Sequence, residues 1–153
     1  MNLAENVAAR TATTITFSWE DGQENGGSQV LDYRITYDQS IDDYVTLVEF
    51  SPARSYTATG LTAGNTYKFK VEARNEFGYS QPSDFVSILC ATMPARPAKP
   101  TSTVFENQVL IDWSAPSDQG TPIQGYNIYF KKSDGTFATE LGDCDGSSEA
   151  VIA

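Results

Sequence analysis

The fold class of this chain is decided by the stretch Thr66-Tyr67-Lys68-Phe69-Lys70-Val71-Glu72-Ala73-Arg74. Polar and apolar residues alternate along it, so that Tyr67, Phe69 and Val71 share one face. A period of two, carried by aromatic and β-branched residues, is typical of a strand with one face in the core and the other in water. No segment of the sequence shows a sustained 3.6-residue period, and an all-β fold is therefore predicted.

The same alternation lies on both sides of this stretch. Thr14–Trp19 places Ile15, Phe17 and Trp19 on one face, and Asp32–Asp38 places Tyr33, Ile35 and Tyr37 on one face. Three shorter apolar runs add further predicted strands, at Tyr44–Phe50, Tyr56–Thr59 and, as an edge strand, Phe85–Thr92. Turn residues rich in Gly, Asn and Pro separate them. Strands at this spacing through residues 1–92 predict an antiparallel β-sandwich.

The pattern then repeats itself along the chain. Ile15, Phe17 and Trp19 have counterparts 94 residues later, at Val109, Ile111 and Trp113. Tyr33, Ile35 and Tyr37 have counterparts 93 residues later, at Tyr126, Ile128 and Phe130. Two matches at nearly the same offset predict a tandem repeat.

A proline-rich segment, Met93–Pro100, separates the two repeats. Proline at every third position favours an extended polyproline II conformation, which is a stiff spacer. The segment also contains Pro-x-x-Pro followed by Lys99, which is formally an SH3-ligand pattern. Because inter-repeat prolines are common and the pattern is short, the linker interpretation is preferred.

These residues resemble the signature of fibronectin type III domains: Trp19, Tyr33 and the run Leu61–Asn75, followed by Gly78 and Ser80. The resemblance covers residues 1–92. It implies an immunoglobulin-like β-sandwich in which Leu61, Trp19, Phe69 and Val71 fill the core. It also implies a tyrosine corner at Tyr67, whose hydroxyl bonds backbone near the preceding turn.

The second repeat follows the first only in part. A complete domain needs roughly 90–100 residues, and about half of that length follows Pro100. The predicted organisation is a complete fibronectin type III domain at 1–92, a Pro-rich linker at 93–100, and the N-terminal part of a second domain at 101–153. The missing strands would come either from a longer parent chain or from another chain.

The second repeat also looks similar to repeats of very large multi-repeat surface proteins of protists. In those proteins the cysteine that matches Cys144 is followed by another cysteine. The resemblance therefore implies a disulfide between Cys144 and a partner beyond Ala153, and with it an oxidising compartment. Cys90, by contrast, falls in a predicted strand and is expected to be a small buried hydrophobe rather than a reactive thiol.

Composition argues against catalysis and against anionic partners. The chain carries 20 acidic and 10 basic residues and no histidine. It therefore lacks the commonest general base and metal ligand, and it has no positive surface for nucleic acid or anionic lipid. Lys68 and Lys70 lie on the polar face of a strand, where they are expected to be solvated. No catalytic residue, no cofactor, no nucleic-acid partner and no membrane insertion are predicted.

Calcium is the one metal considered. Asp143, Asp145 and Glu149 cluster carboxylate oxygens of the kind that Ca²⁺ prefers. The spacing does not fit the twelve-residue calcium loop, and an acidic loop is the preferred interpretation. No metal site is predicted, and whether Asp143 and Asp145 bind calcium stays open.

A binding surface is expected at one end of the sandwich, where loops on a rigid scaffold tolerate variation. Asp21–Val30 and Asn75–Pro82 are predicted to lie at the same end. Within the second loop, Phe77 and Tyr79 are the candidate binding residues, as exposed aromatic anchors. The alternative is plain turn composition with Phe77 partly packed.

The sequence thus predicts a non-enzymatic structural and adhesive segment of a multi-repeat protein. It would act as a spacer and protein-interaction module, with filament formation as an extension, and its partners would be proteins or further copies of itself. The alternatives are a ligand-recognition module that uses the end loops for protein or carbohydrate, and an accessory domain of a larger enzyme. The expected location is extracellular or at the cell surface, with an intracellular cytoskeletal array as the alternative.

Overall fold

The computed structural model describes residues 1–106 and 108–139. The chain divides into two compact units, the first being Met1–Thr92 and the second beginning at Met93. Regular structure in the described residues is almost entirely β-strand, with one short 3₁₀ helix at Val7–Ala9. None of the helical segments in these residues has the length or apolar character needed to cross a membrane.

The first unit consists of two antiparallel sheets. Its strands are β1 (Asn2–Glu5), β2 (Ile15–Glu20), β3 (Asp32–Tyr37), β4 (Val45–Ser51), β5 (Ser55–Ala58), β6 (Thr66–Asn75), β7 (Gly78–Tyr79) and β8 (Val86–Leu89). One sheet has the order β1-β2-β5. The other has the order β4-β3-β6, and both β7 and β8 pair with the far side of β6. The predicted all-β antiparallel sandwich is confirmed.

The core of the first unit lies between these sheets. Phe17 of β2 meets Phe69 of β6 across the sandwich, with ring centroids 4.6 Å apart. Trp19 packs edge-on against Tyr33, with centroids 5.3 Å apart and ring planes at 73°, a geometry that aromatic pairs prefer. The predicted core residues are buried, namely Leu61, Trp19, Phe69 and Val71.

The tyrosine corner is also confirmed. The backbone N–H of Thr62 donates a hydrogen bond of 2.9 Å to the hydroxyl oxygen of Tyr67. Tyr67 itself is buried at the start of β6. Its side chain therefore ties the turn before β6 to the strand, which holds one end of the second sheet in place.

The edge strand predicted at 85–92 is present as the shorter β8, and β6 has a second short partner, β7, that was not predicted. β7 pairs with the end of β6 and β8 with its start, and Pro82 between them has no N–H to donate. The interruption is bridged by side chains: the N–H groups of Val71 and Ala73 donate to the hydroxyls of Ser83 and Ser80, at 3.0 and 3.1 Å. The hydroxyl oxygens thus take the place of strand carbonyls.

The second unit holds two hairpins within its described residues. Thr101–Phe105 (β9) pairs with Gln108–Asp112 (β10), and Phe130–Lys131 (β11) pairs with Phe137–Ala138 (β12). The strand expected around Tyr126 begins only at Phe130. Residues 124–129 are not paired with any strand in the described part of the chain, and a β-strand depends on such backbone pairing.

The proline-rich segment is the start of the second unit and contacts later residues of it. The N–H of Ala95 donates a 2.9 Å hydrogen bond to the carbonyl of Ser117. Pro97 and Pro100 line a cleft of about 240 Å³ together with Trp113 and Tyr126. None of the residues whose burial is described from Met93 onwards is fully buried.

Candidate functional site

Two loops meet at one end of the first unit. The side-chain amide of Asn75 donates to the carbonyl of Asn25 at 3.0 Å, and the Ser28 hydroxyl donates to a Glu76 carboxylate oxygen at 3.4 Å. The prediction that Asp21–Val30 and Asn75–Pro82 share one end is confirmed. Their contact is made by side chains that the loops themselves supply, so the two loops form one surface.

Local chemistry fixes the shape of the first loop. The side-chain oxygen of Asn25 accepts a 2.9 Å hydrogen bond from the Gly27 N–H. Gly26 and Gly27 both have a positive φ, at 69° and 80°, which residues with a Cβ adopt only at a cost. Asparagine followed by two glycines is thus the chemistry that this turn requires.

Phe77 lies at the tip of the turn between β6 and β7. The side-chain oxygen of Asn75 accepts the Phe77 N–H at 2.9 Å, and the pair Asn75–Gly78 closes the hairpin. The side chain of Phe77 is 81% exposed. The structure therefore contradicts the alternative in which Phe77 is partly packed.

Tyr79 is less free than the sequence suggested. It is half-buried, and the guanidinium of Arg34 lies over its ring, 4.1 Å from the centroid. Its hydroxyl is buried and has no hydrogen-bond partner among the described protein atoms. Of the two candidate residues, Phe77 offers an open ring, whereas Tyr79 offers a ring that Arg34 already covers on one side.

Both residues line a cleft of about 240 Å³ between the two loops. Its other walls include Glu24 and Val30 from the first loop and Arg74 from β6. A second, larger cleft of about 610 Å³ adjoins it and shares Glu24 and Val30. The aromatic side chains thus lie at the edge of an open surface of mixed polar and apolar character.

A charged cluster forms part of the wall of the larger cleft. The guanidinium of Arg54 donates two hydrogen bonds to the carboxylate of Asp21, at 3.0 and 2.5 Å, and the Tyr33 hydroxyl donates to the same carboxylate. The Arg54 hydrogen bond, followed by that of Tyr33, lowers the pKa of Asp21. The positive charge of Arg54 is therefore matched within the protein.

Three clusters on the outer face of the second sheet combine a ring, a cation and a carboxylate. Arg34 lies between Tyr79 and Glu72, and Arg74 lies 4.9 Å from the Phe50 ring centroid and within hydrogen-bond distance of Asp32. In the third, Lys68 lies 5.5 Å from the Phe85 centroid and 2.5 Å from an Asp42 oxygen. We call these arrangements ring–cation–carboxylate clusters.

Phe50 and Arg74 lie beside the candidate surface, and sequence reasoning missed both. Phe50 falls at a bulge where β4 loses register with β3, and its φ is 59°. This bulge turns the ring outwards, to 58% exposure, over Arg74. A sequence signal existed only for the charges: Asp32 and Arg74 fall on the polar positions of two strands that the structure pairs directly.

The two lysines expected to be solvated surface charges both contact other side chains. Lys68 contacts Asp42, and Lys70 lies 4.2 Å from the centroid of the Tyr44 ring. Within residues 1–106 and 108–139, no three acidic or cysteine side chains cluster as metal ligands would. Cys144, Asp143 and Asp145 lie outside the described residues.

Cys90 is buried, as predicted for a small hydrophobe, and forms no disulfide with any residue that the structure describes. Its thiol donates to the carbonyl of Ala12 at 3.2 Å. Burial raises the pKa of the thiol, which keeps it protonated and unreactive near neutral pH. Cys90 therefore has a packing role.

Comparisons with known proteins place this geometry in a family. Residues 4–88 match the family model of the fibronectin type III domain, which is more than half of the chain. A solved structure, the sixth fibronectin type III domain of human fibronectin type III domain containing protein 3, is similar with a TM-score of 0.50 and 26% identity. That similarity covers 60% of this chain and 87% of the solved one.

Curated relatives differ widely in kind. Exoglucanase B of Cellulomonas fimi is 32% identical over 80% of this chain, and human Brother of CDO is 30% identical over 84%. Titin of Drosophila melanogaster is 28% identical over 86%. The matches span only 12%, 13% and 1% of these relatives' own lengths. Relatives with names as different as an exoglucanase, a receptor-type tyrosine-protein phosphatase and titin thus contain a segment similar to this chain.

Proposed function

Because this chain belongs to the fibronectin type III domain family, we propose that it is a non-enzymatic structural and adhesive segment of a multi-repeat protein, acting as spacer and protein-interaction module. The protein-interaction part of this proposal rests on one observation. Phe77 is 81% exposed, and it lines a cleft between two loops that the β-sandwich holds in place. Exposed aromatic anchors on a rigid scaffold are the features that dominate protein interfaces.

The proposed spacer role is supported by the second unit. Trp113 and Tyr126 pack edge-on, 5.4 Å apart at 68°, which is close to the geometry of Trp19 and Tyr33. This likeness supports a complete domain at 1–92, a proline-rich connection at 93–100 and the start of a second domain at 101–153. Rigid sandwiches joined by a proline-rich segment would set a distance between partners.

A peptide selection tests the interaction surface. A random peptide library is selected on the full 153-residue chain, and binders are re-tested on Phe77→Ala and on Tyr79→Ala. We expect binders whose affinity falls at least tenfold on Phe77→Ala. Phe85→Ala is the matched control, because Phe85 is also an exposed phenylalanine, at 53%, but lies outside both clefts. Binders that respond equally to both substitutions would contradict the proposal.

Filament formation is the extension of this proposal, and β10 supports it. Val109 and Leu110 on this strand are 61% and 63% exposed, and among the described residues β10 pairs only with β9. An open strand edge with exposed apolar residues favours pairing with another chain. Sedimentation velocity on the whole chain should show concentration-dependent association that Leu110→Lys weakens. A monomer at every concentration would exclude self-assembly through β10.

A ligand-recognition or enzyme-accessory role is the second candidate, favoured by the relative named Exoglucanase B. The larger cleft beside Phe77 carries amides suited to sugar hydroxyls, such as Gln23, Gln29 and Gln81. Affinity electrophoresis in gels containing hydroxyethylcellulose tests this role. Retardation that Phe77→Ala abolishes would favour carbohydrate over protein as the ligand, and unchanged migration would remove the candidate.

The proposed location is extracellular or at the cell surface, with an intracellular cytoskeletal array as the alternative. The first rests on the disulfide proposed for Cys144, and the second is favoured by the relative named titin. Non-reduced peptide mapping of the natural protein distinguishes the two locations. A disulfide-linked peptide that contains Cys144 would support the extracellular location, and a free Cys144 would favour the alternative.

A further inference from the structure

In the three ring–cation–carboxylate clusters, the positive charge of a basic side chain is stabilised by an aromatic ring together with a carboxylate. In each, the cation lies against an aromatic ring and within ion-pair distance of a carboxylate, as Arg34 does between Tyr79 and Glu72. Such contacts are favourable because the ring face is negative and the carboxylate neutralises the charge. Two of the three exposed phenylalanines of the first unit, Phe50 and Phe85, belong to clusters of this kind.

Phe77 is the third exposed phenylalanine, and it differs from the other two. No cation of the described residues lies over its ring, although it is the most exposed of the three, at 81%. A carboxylate is nevertheless at hand, because Glu24 lines the same cleft. Arg74 also lines this cleft, but its guanidinium lies over Phe50 and bonds Asp32, so the Phe77 ring and the Glu24 carboxylate have no cation of their own among the described residues.

The first unit has no basic side chain left to supply that cation. Its six basic residues all contact a carboxylate or a ring within the described residues: Arg10, Arg34, Arg54, Lys68, Lys70 and Arg74. The loop end, by contrast, carries Glu20, Glu24 and Glu76 in addition to the Asp21–Arg54 pair. This end has an excess of negative charge, which complements a positively charged partner.

We propose that Phe77 and Glu24 form the receiving half of a fourth ring–cation–carboxylate cluster, which is completed by an arginine or lysine side chain of a partner polypeptide. The partner's cation lies over the Phe77 ring and pairs with the Glu24 carboxylate. This inference rests on the proposed interaction function and names its partner class, a basic peptide segment. Arg34 and Arg74 in their own clusters show the same arrangement within the protein.

An NMR titration of the whole ¹⁵N-labelled chain tests the inference. The probe is a tri-arginine peptide, and its neutral counterpart is tri-citrulline, which has nearly the same shape without the charge. We expect amide shifts from tri-arginine at residues 24–26 and 75–79, and none from tri-citrulline. Phe77→Ala should weaken tri-arginine binding about two- to fivefold, in line with cation–π contacts at exposed sites, and Glu24→Gln should weaken it as well.

Two control variants separate this site from general attraction to an acidic protein. Phe85→Ala removes an exposed ring that already has Lys68 beside it, and Glu20→Gln removes an exposed carboxylate outside both clefts. Neither should change binding at residues 75–79. Shifts that spread over the whole surface, or that survive Phe77→Ala unchanged, would overturn the inference, as would equal binding of tri-citrulline.

The outcome is separable from that of the proposed function. Selected peptides that need Phe77 but contain neither arginine nor lysine would overturn this inference and leave the interaction surface standing. A library without Phe77-dependent binders would overturn the interaction surface, while the titration would still decide whether Phe77 and Glu24 hold a cation.

Discussion

Two tryptophan–tyrosine pairs, one in each unit, have nearly the same geometry and different surroundings. Trp19 and Tyr33 lie 5.3 Å apart at 73°, and Trp113 and Tyr126 lie 5.4 Å apart at 68°. In the first unit both side chains are buried, at 3% and 2% exposure. In the second unit both are only half-buried.

The difference separates local from tertiary causes. Similar residues at similar spacing, 14 residues apart in the first unit and 13 in the second, form the same edge-on pair in both units, so the pair does not need a buried core around it. Burial requires a second layer of side chains, which Phe69 and Val71 of β6 supply in the first unit. The described part of the second unit has no such layer, and its aromatic residues stay in contact with water.

The largest expected effect distinguishes the two tryptophans directly. Trp19→Ala should lower the free energy of unfolding of the first unit by about 3–5 kcal/mol, because a large buried side chain is lost. Trp113→Ala should leave that transition unchanged. Urea denaturation followed by circular dichroism measures both. Equal losses from the two substitutions would mean that the two units unfold as one body, and the comparison would fail.

A smaller effect is expected at the tyrosine corner. Tyr67→Phe removes the hydroxyl that accepts the Thr62 N–H and should cost about 0.5–1.5 kcal/mol, the usual net value of one hydrogen bond. Tyr129→Phe in the second unit is the control, since Tyr129 is 61% exposed. Thermal melts of the two variants give the comparison. A loss at Tyr129 as large as that at Tyr67 would show that the second unit holds its own packed corner.

The smallest effect concerns acid stability of the first unit. The hydrogen bonds from Arg74 lower the pKa of Asp32, so the carboxylate stabilises the folded state above its ordinary pKa of about 4. This stabilisation is lost as the pH falls through the lower, folded value. Asp32→Asn should therefore destabilise the protein at pH 7 and make its urea midpoint less sensitive to pH below about 4. An unchanged pH profile would show that the pair with Arg74 contributes nothing.

Much of the first unit was predictable because the alternation of polar and apolar residues along a strand indicates which side chains are buried. Ile15, Phe17, Tyr33 and Phe69 were placed on inward faces by the period of two alone, and the tyrosine corner followed from the family resemblance. The meeting of the two end loops was predictable as well, since strand order determines which loops share an end. Phe77 stood out because an aromatic residue in a turn has little to pack against.

Other features escaped because they depend on pairs of residues that are distant in sequence. The division of the last strand into β7 and β8 depends on Ser80 and Ser83 reaching backbone N–H groups of β6. The outward position of Phe50 depends on a bulge between β3 and β4. The cover over Tyr79 depends on Arg34, which lies 45 residues away in sequence. None of these contacts leaves a local pattern.

By itself the sequence determined the all-β class, the inward face of each long strand and the turn chemistry, because these depend on neighbours a few residues apart. Tertiary structure decided which aromatic residues remain available for a partner. Phe50, Tyr79 and Phe85 each acquired a cation from a distant strand or strand position, and Phe77 acquired none from the described residues. That distinction arises only when the sheets assemble, since register alone determines which charge lies beside which ring.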